Sequence, residues 1–176
     1  MFEKPSTAMG LIKNLVQALH DGSMATNSFF DRENLLAFSG AAEVENGPWD
    51  EGYQIFAPYG FAHFDKQSVF SVDIRKIRND GIDYVCGSFN IASEAAHVRW
   101  EDMSCMFDGD WVSEDTFSDP FRFTGTINLL PKTHAHGNST MRIASNSSGK
   151  RFDIAIKLRG DGLLYGVDFK VNVNNG

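Results

Sequence analysis

The sequence predicts a mainly β fold, a single-domain antiparallel β-barrel or jelly-roll-like sandwich with an N-terminal amphipathic helix. Segments in the second half of the chain alternate apolar and polar residues with a period of two, which is typical of half-buried strands. Short turns containing Gly or Asn separate these segments, as in antiparallel hairpins. One stretch near the N-terminus carries apolar residues at helical spacing instead.

Length and composition are those of one globular domain spanning residues 1–176. The chain is 42% hydrophobic and 22% charged, which is ordinary for such a domain. Its 15 phenylalanines predict a well-filled core or an apolar cavity. The net charge of -7 argues against a nucleic-acid partner, which requires a basic surface.

Membrane and secretion signals are missing from the sequence. No segment is long and apolar enough to span a bilayer, and the first residues lack the features of a signal peptide. Cys86 and Cys105 form no disulfide framework, which favours a reducing compartment. We therefore expect a cytoplasmic protein with no membrane partner.

The N-terminal helix is expected over residues 6–22, with its regular part at 6–20. Ser6 or Thr7 can cap it, and Gly22 can stop it. Apolar residues repeat at i, i+3, i+4 and i+7, namely Ile12, Leu15, Val16 and Leu19. The following stretch 27–39 is either a short second helix or leads into a strand at 35–44. Residues 45–60 are expected to form an irregular loop with a short strand at 53–57.

The main antiparallel sheet is expected within residues 50–173. Its predicted strands are 69–77, 83–92, 97–107, 121–130, 139–145, 151–159 and 163–171, with an acidic loop at 108–120. The last two strands form a hairpin around Gly160-Asp161-Gly162. Alternation places Phe70 beside Val72 and Ile74 on one face, and Tyr165 beside Val167 and Phe169.

Two families resemble parts of this sequence, and they imply different folds. The segment LVQALHDGSMATNSFF at 15–30, followed by Gly47-Pro48 and Gly52, resembles the start of the ketosteroid isomerase and polyketide-cyclase-like cone fold. That resemblance implies helices covering a curved sheet that holds a small apolar substrate.

The second resemblance, to the complex I intermediate-associated family, extends from Trp100 to Tyr165. The residues that carry it are Phe123-Thr124-Gly125-Thr126-Ile127, Ser139, Arg142, Phe152-Asp153-Ile154 and Leu158-Arg159-Gly160-Asp161-Gly162. It implies a galactose-binding-like jelly roll that acts in assembly rather than in chemistry. Because the two resemblances disagree, we assign no family from the sequence.

The predicted strand 97–107 supplies the main candidate for acid–base chemistry. One of its faces carries Asp102 beside Trp100, and the other carries Glu101 beside Arg99, so either inward face buries a carboxylate. A buried carboxylate can act as a proton donor or acceptor. Alternatively, Glu101 pairs with Arg99, or a bulge leaves both carboxylates in water.

The other candidate residues complete a predicted pocket. His63 lies two residues before Asp65, so on a strand the imidazole and the carboxylate share one face and can transfer protons. The predicted catalytic residues are thus Asp102, Glu101 and His63. The predicted substrate-binding residues are Trp100, Tyr84, Phe70, Tyr165 and Arg99.

No metal or cofactor is expected. His134 and His136 have the spacing of two ligands on one strand, but no third ligand stands nearby. The acidic run 108–119 lacks the spacing of a calcium loop, and the phosphate, dinucleotide and nucleophile motifs are absent.

Together these features predict binding of a small, largely apolar organic molecule in a β-barrel pocket. A catalytic form would be a cofactor-free isomerase, cyclase or lyase that uses carboxylate acid–base chemistry. The alternative is a non-catalytic binding or assembly-factor module with a galactose-binding-like jelly roll. A homo-oligomer is compatible with either hypothesis.

Overall fold

The computed structural model describes residues 2–79, 82–107, 112–115, 123–125, 132–133, 139–147 and 150–173. Its strands are β1 (Glu43–Asn46), β2 (Tyr53–Tyr59), β3 (Val69–Asn79), β4 (Ile82–Ile91), β5 (Val112–Asp115), β6 (Phe123–Gly125), β7 (Lys132–Thr133), β8 (Ser139–Ser147), β9 (Lys150–Leu158) and β10 (Leu164–Val173). They form one antiparallel sheet in the order β1-β2-β3-β4-β10-β9-β8-β5-β6, with β7 paired to β8.

The predicted fold class is confirmed in its coarse form, because the chain is mainly antiparallel β with few helices. The sheet begins at Glu43, earlier than the predicted residue 50. Among the described strands the hydrogen-bonded path has two ends, at β1 and β6. The barrel, the sandwich and the single-domain boundary therefore stay predictions. In the same part of the chain, no helix has the length and apolar character needed to cross a membrane.

The predicted N-terminal helix is confirmed as α1 (Ala8–His20). The Thr7 hydroxyl oxygen accepts a hydrogen bond from the Gly10 amide at 3.1 Å, which satisfies one of the free N–H groups of the first turn. Gly22 follows the helix with a φ of 73°, a left-handed conformation that glycine adopts at little cost. The amphipathic pattern therefore located this helix within two residues at its start.

The ambiguous stretch 27–39 forms a 3₁₀ turn followed by α2 (Arg32–Ser39), so the helical alternative was correct. Asp31 precedes α2 and Gly40 ends it with a φ of 75°. The short strand predicted at 53–57 is confirmed as β2, which extends to Tyr59, whereas the rest of the predicted loop 45–60 also contains the end of β1. The Gly and Pro residues of this stretch had predicted more loop and less strand than the structure contains.

The core lies between the two helices and the inner face of the sheet. Phe38 of α2 stands at its centre, with ring centroids 5.0 Å from Phe29, 5.3 Å from Phe2 and 6.1 Å from Phe89 of β4. Such edge-on and tilted contacts are the favoured geometry for aromatic pairs. Many of the phenylalanines are thus used to fill the junction between helices and sheet.

The C-terminal hairpin β9–β10 is confirmed, and its inner face follows the predicted alternation in β9, where Phe152, Ile154, Ile156 and Leu158 are buried. In β10 the register shifts between Leu164 and Gly166. This bulge buries Leu164 completely and leaves Tyr165 half-buried, contrary to the predicted face. A second register shift, between Val69 and Ser71, leaves Phe70 66% exposed, so the prediction that it faces inward was wrong.

The predicted strand 97–107 was also wrong. The chain forms α3 (Ser93–Ala96), α4 (Trp100–Met103) and a 3₁₀ turn (Ser104–Phe107). Trp100, Met103 and Phe107 are buried at spacings of three and four, which is a helical pattern. Further on, part of the predicted acidic loop 108–120 is strand β5, and only residues 123–125 of the predicted strand 121–130 are described.

Candidate functional site

Asp102 and Glu101 do not point into the core. Both side chains are exposed at the start of α4, where the Asp102 Oδ2 accepts a hydrogen bond from the Arg99 amide at 2.8 Å. Arg99 is exposed and donates from Nη1 to the Asp161 carbonyl oxygen at 2.8 Å. The premise of an inward, desolvated carboxylate was therefore wrong, because these residues belong to a helix cap rather than a strand.

The predicted lining residues do not form one pocket. Trp100 is 6% exposed and stacks on Phe107 within the core. Tyr84 pairs with Ile77 in the β3–β4 hairpin, seven residues along β3 from Phe70, or roughly 23 Å. Tyr84 instead lies beneath the Lys170 ammonium, whose nitrogen is 4.2 Å from the ring centroid. Tyr84 and Phe70 cannot contact the same small ligand at that separation.

His63 does not share a strand face with Asp65. It is exposed in a turn, and Asp65 begins the next 3₁₀ turn (Asp65–Gln67). The Asp65 amide donates to the Ser6 carbonyl oxygen at 2.8 Å, which fastens this turn to the chain just before α1. The predicted His63–Asp65 pair is therefore replaced by a contact between Asp65 and the start of the helix.

A cleft of about 410 Å³ opens at the N-terminal end of α1. Its walls are the first residues of α1, the turn before β3, and the segment from α3 to α4. Small apolar residues provide part of the lining, and the polar residues that line it are Thr7, Asp65, Ser68, His97 and Asp102. One predicted catalytic residue, Asp102, thus meets residues that are distant from it in sequence.

Ser68 is the most unusual residue of this cleft. It is 2% exposed, and its hydroxyl has no hydrogen-bond partner among the described residues. Its backbone is fully engaged, because the amide donates to Asp65 and the carbonyl oxygen accepts from Ala92 at 3.0 Å. Leaving a buried hydroxyl unpaired costs about 1–3 kcal/mol, so such a group calls for an explanation.

Backbone strain collects around the same cleft. Four described non-glycine residues have a positive φ; His97 lines the cleft, and Lys66 and Gln67 lie in the chain between its lining residues Asp65 and Ser68. His97 has a φ of 50° at the end of α3, held by its amide bond to the Ser93 carbonyl oxygen. Residues in this conformation cost of order 1–3 kcal/mol and concentrate at functional sites. A strained residue, His97, is thus part of the cleft lining.

The hairpin β9–β10 fixes the segment that carries His97 and Asp102. The Leu164 amide donates to the Val98 carbonyl oxygen at 2.8 Å, between these two residues. Arg159 donates to the Ser93 hydroxyl and to the Glu94 carboxylate, each at 3.0 Å. The hydrogen bond to the Glu94 carboxylate and the charge of the Asp161 carboxylate, 3.1 Å from Arg159 Nη2, raise the pKa of Arg159 above its usual range. One wall of the cleft is therefore anchored to the sheet.

A second depression, of about 330 Å³, lies between α1 and the 3₁₀ turn that contains Met106. Its lining includes Lys13, Val16 and Gln17, which stand on the outer side of α1. Its surface is mainly apolar, and no described polar group in it is both buried and unpartnered. It provides less basis for a specific site than the cleft at the helix N-terminus.

Within the described ranges, no three His, Cys, Asp or Glu residues are arranged to hold a metal ion. His134 and His136 lie outside the described residues, as does most of the acidic run 108–119. The prediction that neither region binds a metal stays a prediction.

Comparison with known proteins yields no assignment: no family model, curated protein or solved structure gives a significant match to the chain. Neither of the two partial resemblances in the sequence gains support from these comparisons. Any functional hypothesis therefore rests on the geometry of the residues themselves.

Sequence reasoning missed Ser68 and gave His97 the wrong structural setting. Ser68 is a small polar residue before an apolar strand, and nothing in the local sequence predicts that its hydroxyl is buried. His97 was placed on a strand, where its backbone would have been extended. The helical spacing of Trp100, Met103 and Phe107 was the available signal against that strand.

Proposed function

We propose that the protein binds a small organic molecule in the cleft at the N-terminal end of α1. The observation that carries this proposal is the buried, unpartnered Ser68 hydroxyl in a cleft that Asp65, His97 and Asp102 also line. A bound molecule that reaches Ser68 would supply the missing hydrogen bond. The proposal keeps the predicted small-molecule function but places it outside the sheet interior and gives the ligand a polar end.

The dimensions of the cleft support this proposal. Its volume of about 410 Å³ lies within the range of roughly 300–1,000 Å³ found for small-molecule sites. The combination of small apolar residues with a few polar groups is also typical of such sites. The strained backbone at the lining residue His97 supports it further, because functional sites commonly retain such strain.

Ligand binding can be tested by NMR. A fragment library is titrated into isotopically labelled protein, and amide shifts are followed at Thr7, Ser68 and His97. We expect hits whose shifts cluster at these residues, and Ser68→Ala should weaken them. Ser88→Ala, on β4 away from the cleft, is the matched control and should bind like the parent. A library without any hit at the cleft would contradict the proposal and favour the assembly-factor alternative.

Proton transfer is a second candidate function, because the cleft lining contains an imidazole and two carboxylates. In this case His97 would accept a proton from a bound ligand, and Asp65 or Asp102 would stabilise the imidazolium. The test is exchange of a carbon-bound ligand proton in deuterium oxide. We expect exchange with the parent and none with His97→Gln. Equal exchange with both proteins would rule out this role for His97.

A further inference from the structure

We infer that the ligand of this cleft is an organic cation with N–H groups, a primary or secondary amine in its ammonium form. The inference rests on the proposed function and concerns the chemistry of that same site. Three acceptors among the lining residues lead to it, the carboxylates of Asp65 and Asp102 and the unpartnered hydroxyl of Ser68.

The charges of the lining residues favour a cation. Among the described residues that line the cleft, two are carboxylates and none is Lys or Arg. Neither Asp65 nor Asp102 forms an ion pair with another described residue, unlike Asp83 with Arg78 or Asp168 with Lys157. Two unneutralised carboxylates on one small concave surface attract cations and repel anions. The net charge of -7 for the whole chain acts in the same direction.

Helix starts account for the positions of the two carboxylates but not for the state of Ser68. Carboxylates are favoured near the positive end of a helix dipole, and Asp65 and Asp102 each stand at a helix start. That preference explains neither the burial of Ser68 nor its lack of a partner. A serine oxygen can accept a hydrogen bond, as can the Asp102 oxygen that does not cap α4. An ammonium group provides several donors and the charge that both carboxylates require.

Three related classes of ligand each lack the charge or the N–H donors of a primary or secondary ammonium ion. A quaternary ammonium has the charge but no N–H, so it cannot donate to Ser68. An alcohol has a donor but no charge, and a carboxylic acid has the opposite charge near neutral pH. We therefore expect affinity to follow the order amine, quaternary ammonium, alcohol, carboxylate for molecules of the same shape. The short apolar side chains of Ala95 and Ala96 would contact the hydrocarbon part.

Four cyclohexane derivatives provide the test: cyclohexylamine, trimethylcyclohexylammonium, cyclohexanol and cyclohexanecarboxylate. Each is titrated into the parent protein, with amide shifts at the cleft as the readout. We expect cyclohexylamine to bind at least about tenfold more tightly than cyclohexanol, equivalent to ~1.4 kcal/mol. Its affinity should also fall as salt is added, since salt screens exposed charges.

Variants identify the groups responsible. Asp65→Asn and Ser68→Ala should each weaken cyclohexylamine binding several-fold, with little change for cyclohexanol. Asp102→Asn should do the same while α4 stays capped, because the Asn side-chain oxygen can still accept from the Arg99 amide. Asp50→Asn removes an exposed carboxylate outside the cleft and should leave binding unchanged.

The outcomes separate this inference from the proposed function. Cleft shifts of equal size with the amine, the alcohol and the carboxylate would overturn the cationic ligand class and retain small-molecule binding. An amine that binds equally well to Asp65→Asn, Asp102→Asn and the parent would also overturn it. No cleft shifts with any fragment, including those of the wider library, would overturn both.

Discussion

The side chain of Asn14 on α1 donates a hydrogen bond to the carbonyl oxygen of Phe38 near the end of α2, at 2.9 Å. Its amide nitrogen also donates to the Glu3 carbonyl oxygen at 2.9 Å, and Asn14 is only 5% exposed. One buried amide therefore links the N-terminal segment and both longer helices. Because α1 forms a wall of the cleft, this link also supports the position of the candidate site.

Replacement of Asn14 should destabilise the fold. Asn14→Leu keeps a side chain of similar size but leaves two backbone carbonyls without their donor, at a cost of about 1–3 kcal/mol. Chemical denaturation measures the loss directly. Gln17→Leu is the matched control, because Gln17 lies on the exposed side of the same helix and should change stability by less than about 0.5 kcal/mol. Equal effects would show that the Asn14 hydrogen bonds contribute little.

Gly40 and Gly22 have nearly the same left-handed backbone but different surroundings. A Cβ at Gly40 would lie 2.4 Å from the Pro5 carbonyl oxygen and 2.9 Å from the Phe64 ring, whereas none of the surrounding atoms comes within 4 Å at Gly22. Gly22→Ala should cost about 1–2 kcal/mol for conformation alone. Gly40→Ala should cost clearly more in thermal and chemical unfolding, since backbone must also move. An equal decrease in the free energy of unfolding for both variants would mean that the backbone at Pro5 can move without measurable cost.

The sequence predicted those elements whose hydrophobic period is uninterrupted. Helix α1 and strand β9 carry long regular patterns, and both were located correctly. The errors at Phe70 and Tyr165 have one physical cause. Each lies where a bulge adds a residue to one strand, and a one-residue shift moves side chains to the opposite face. A period of two cannot reveal the position of a bulge.

The segment 97–107 shows the limit of short patterns. Its apolar residues satisfy both a strand alternation and a helical spacing, and over so few residues the two cannot be separated. The side-chain cap provided by Asp102 and the burial of Trp100 and Met103 favour the helix. The cleft could not be predicted, because it joins Thr7, Ser68 and Asp102 through tertiary contacts alone.

The inner face of β9 provides a stability test of the sheet. Ile156 is fully buried, so Ile156→Asp places an unpaired charge in the core and should prevent folding or cost at least about 3 kcal/mol. Its neighbour Lys157 points to the other face and forms an ion pair with Asp168 at 2.6 Å. Lys157→Gln should cost less than about 1 kcal/mol, because such pairs contribute little. Similar unfolding curves for both variants would refute the assigned faces.

The two cysteines should differ in reactivity. Cys105 is exposed, whereas Cys86 is half-buried and burial raises the pKa of its thiol. Since the thiolate is the nucleophile, Cys86 has less of the reactive form as well as poorer access. Iodoacetamide at pH 8 should modify Cys105 first, as followed by peptide mass spectrometry. Denaturant should equalise the two rates, and faster labelling of Cys86 in the folded protein would contradict its placement.

Asp83 should make stability depend on pH in the acidic range. Its Oδ1 lies 3.0 Å from the Arg78 Nε across the β3–β4 hairpin, and this hydrogen bond lowers the pKa of Asp83. Because the folded-state pKa lies below the unfolded value, the contribution is complete at neutral pH. It is lost as the pH falls below about 4 and through the folded-state value. NMR titration of the Asp83 carboxylate should show a lowered midpoint that Arg78→Gln shifts upward. Arg75→Gln, whose parent guanidinium pairs with Asp73, should leave this midpoint unchanged; an unshifted midpoint in Arg78→Gln would disprove the pairing.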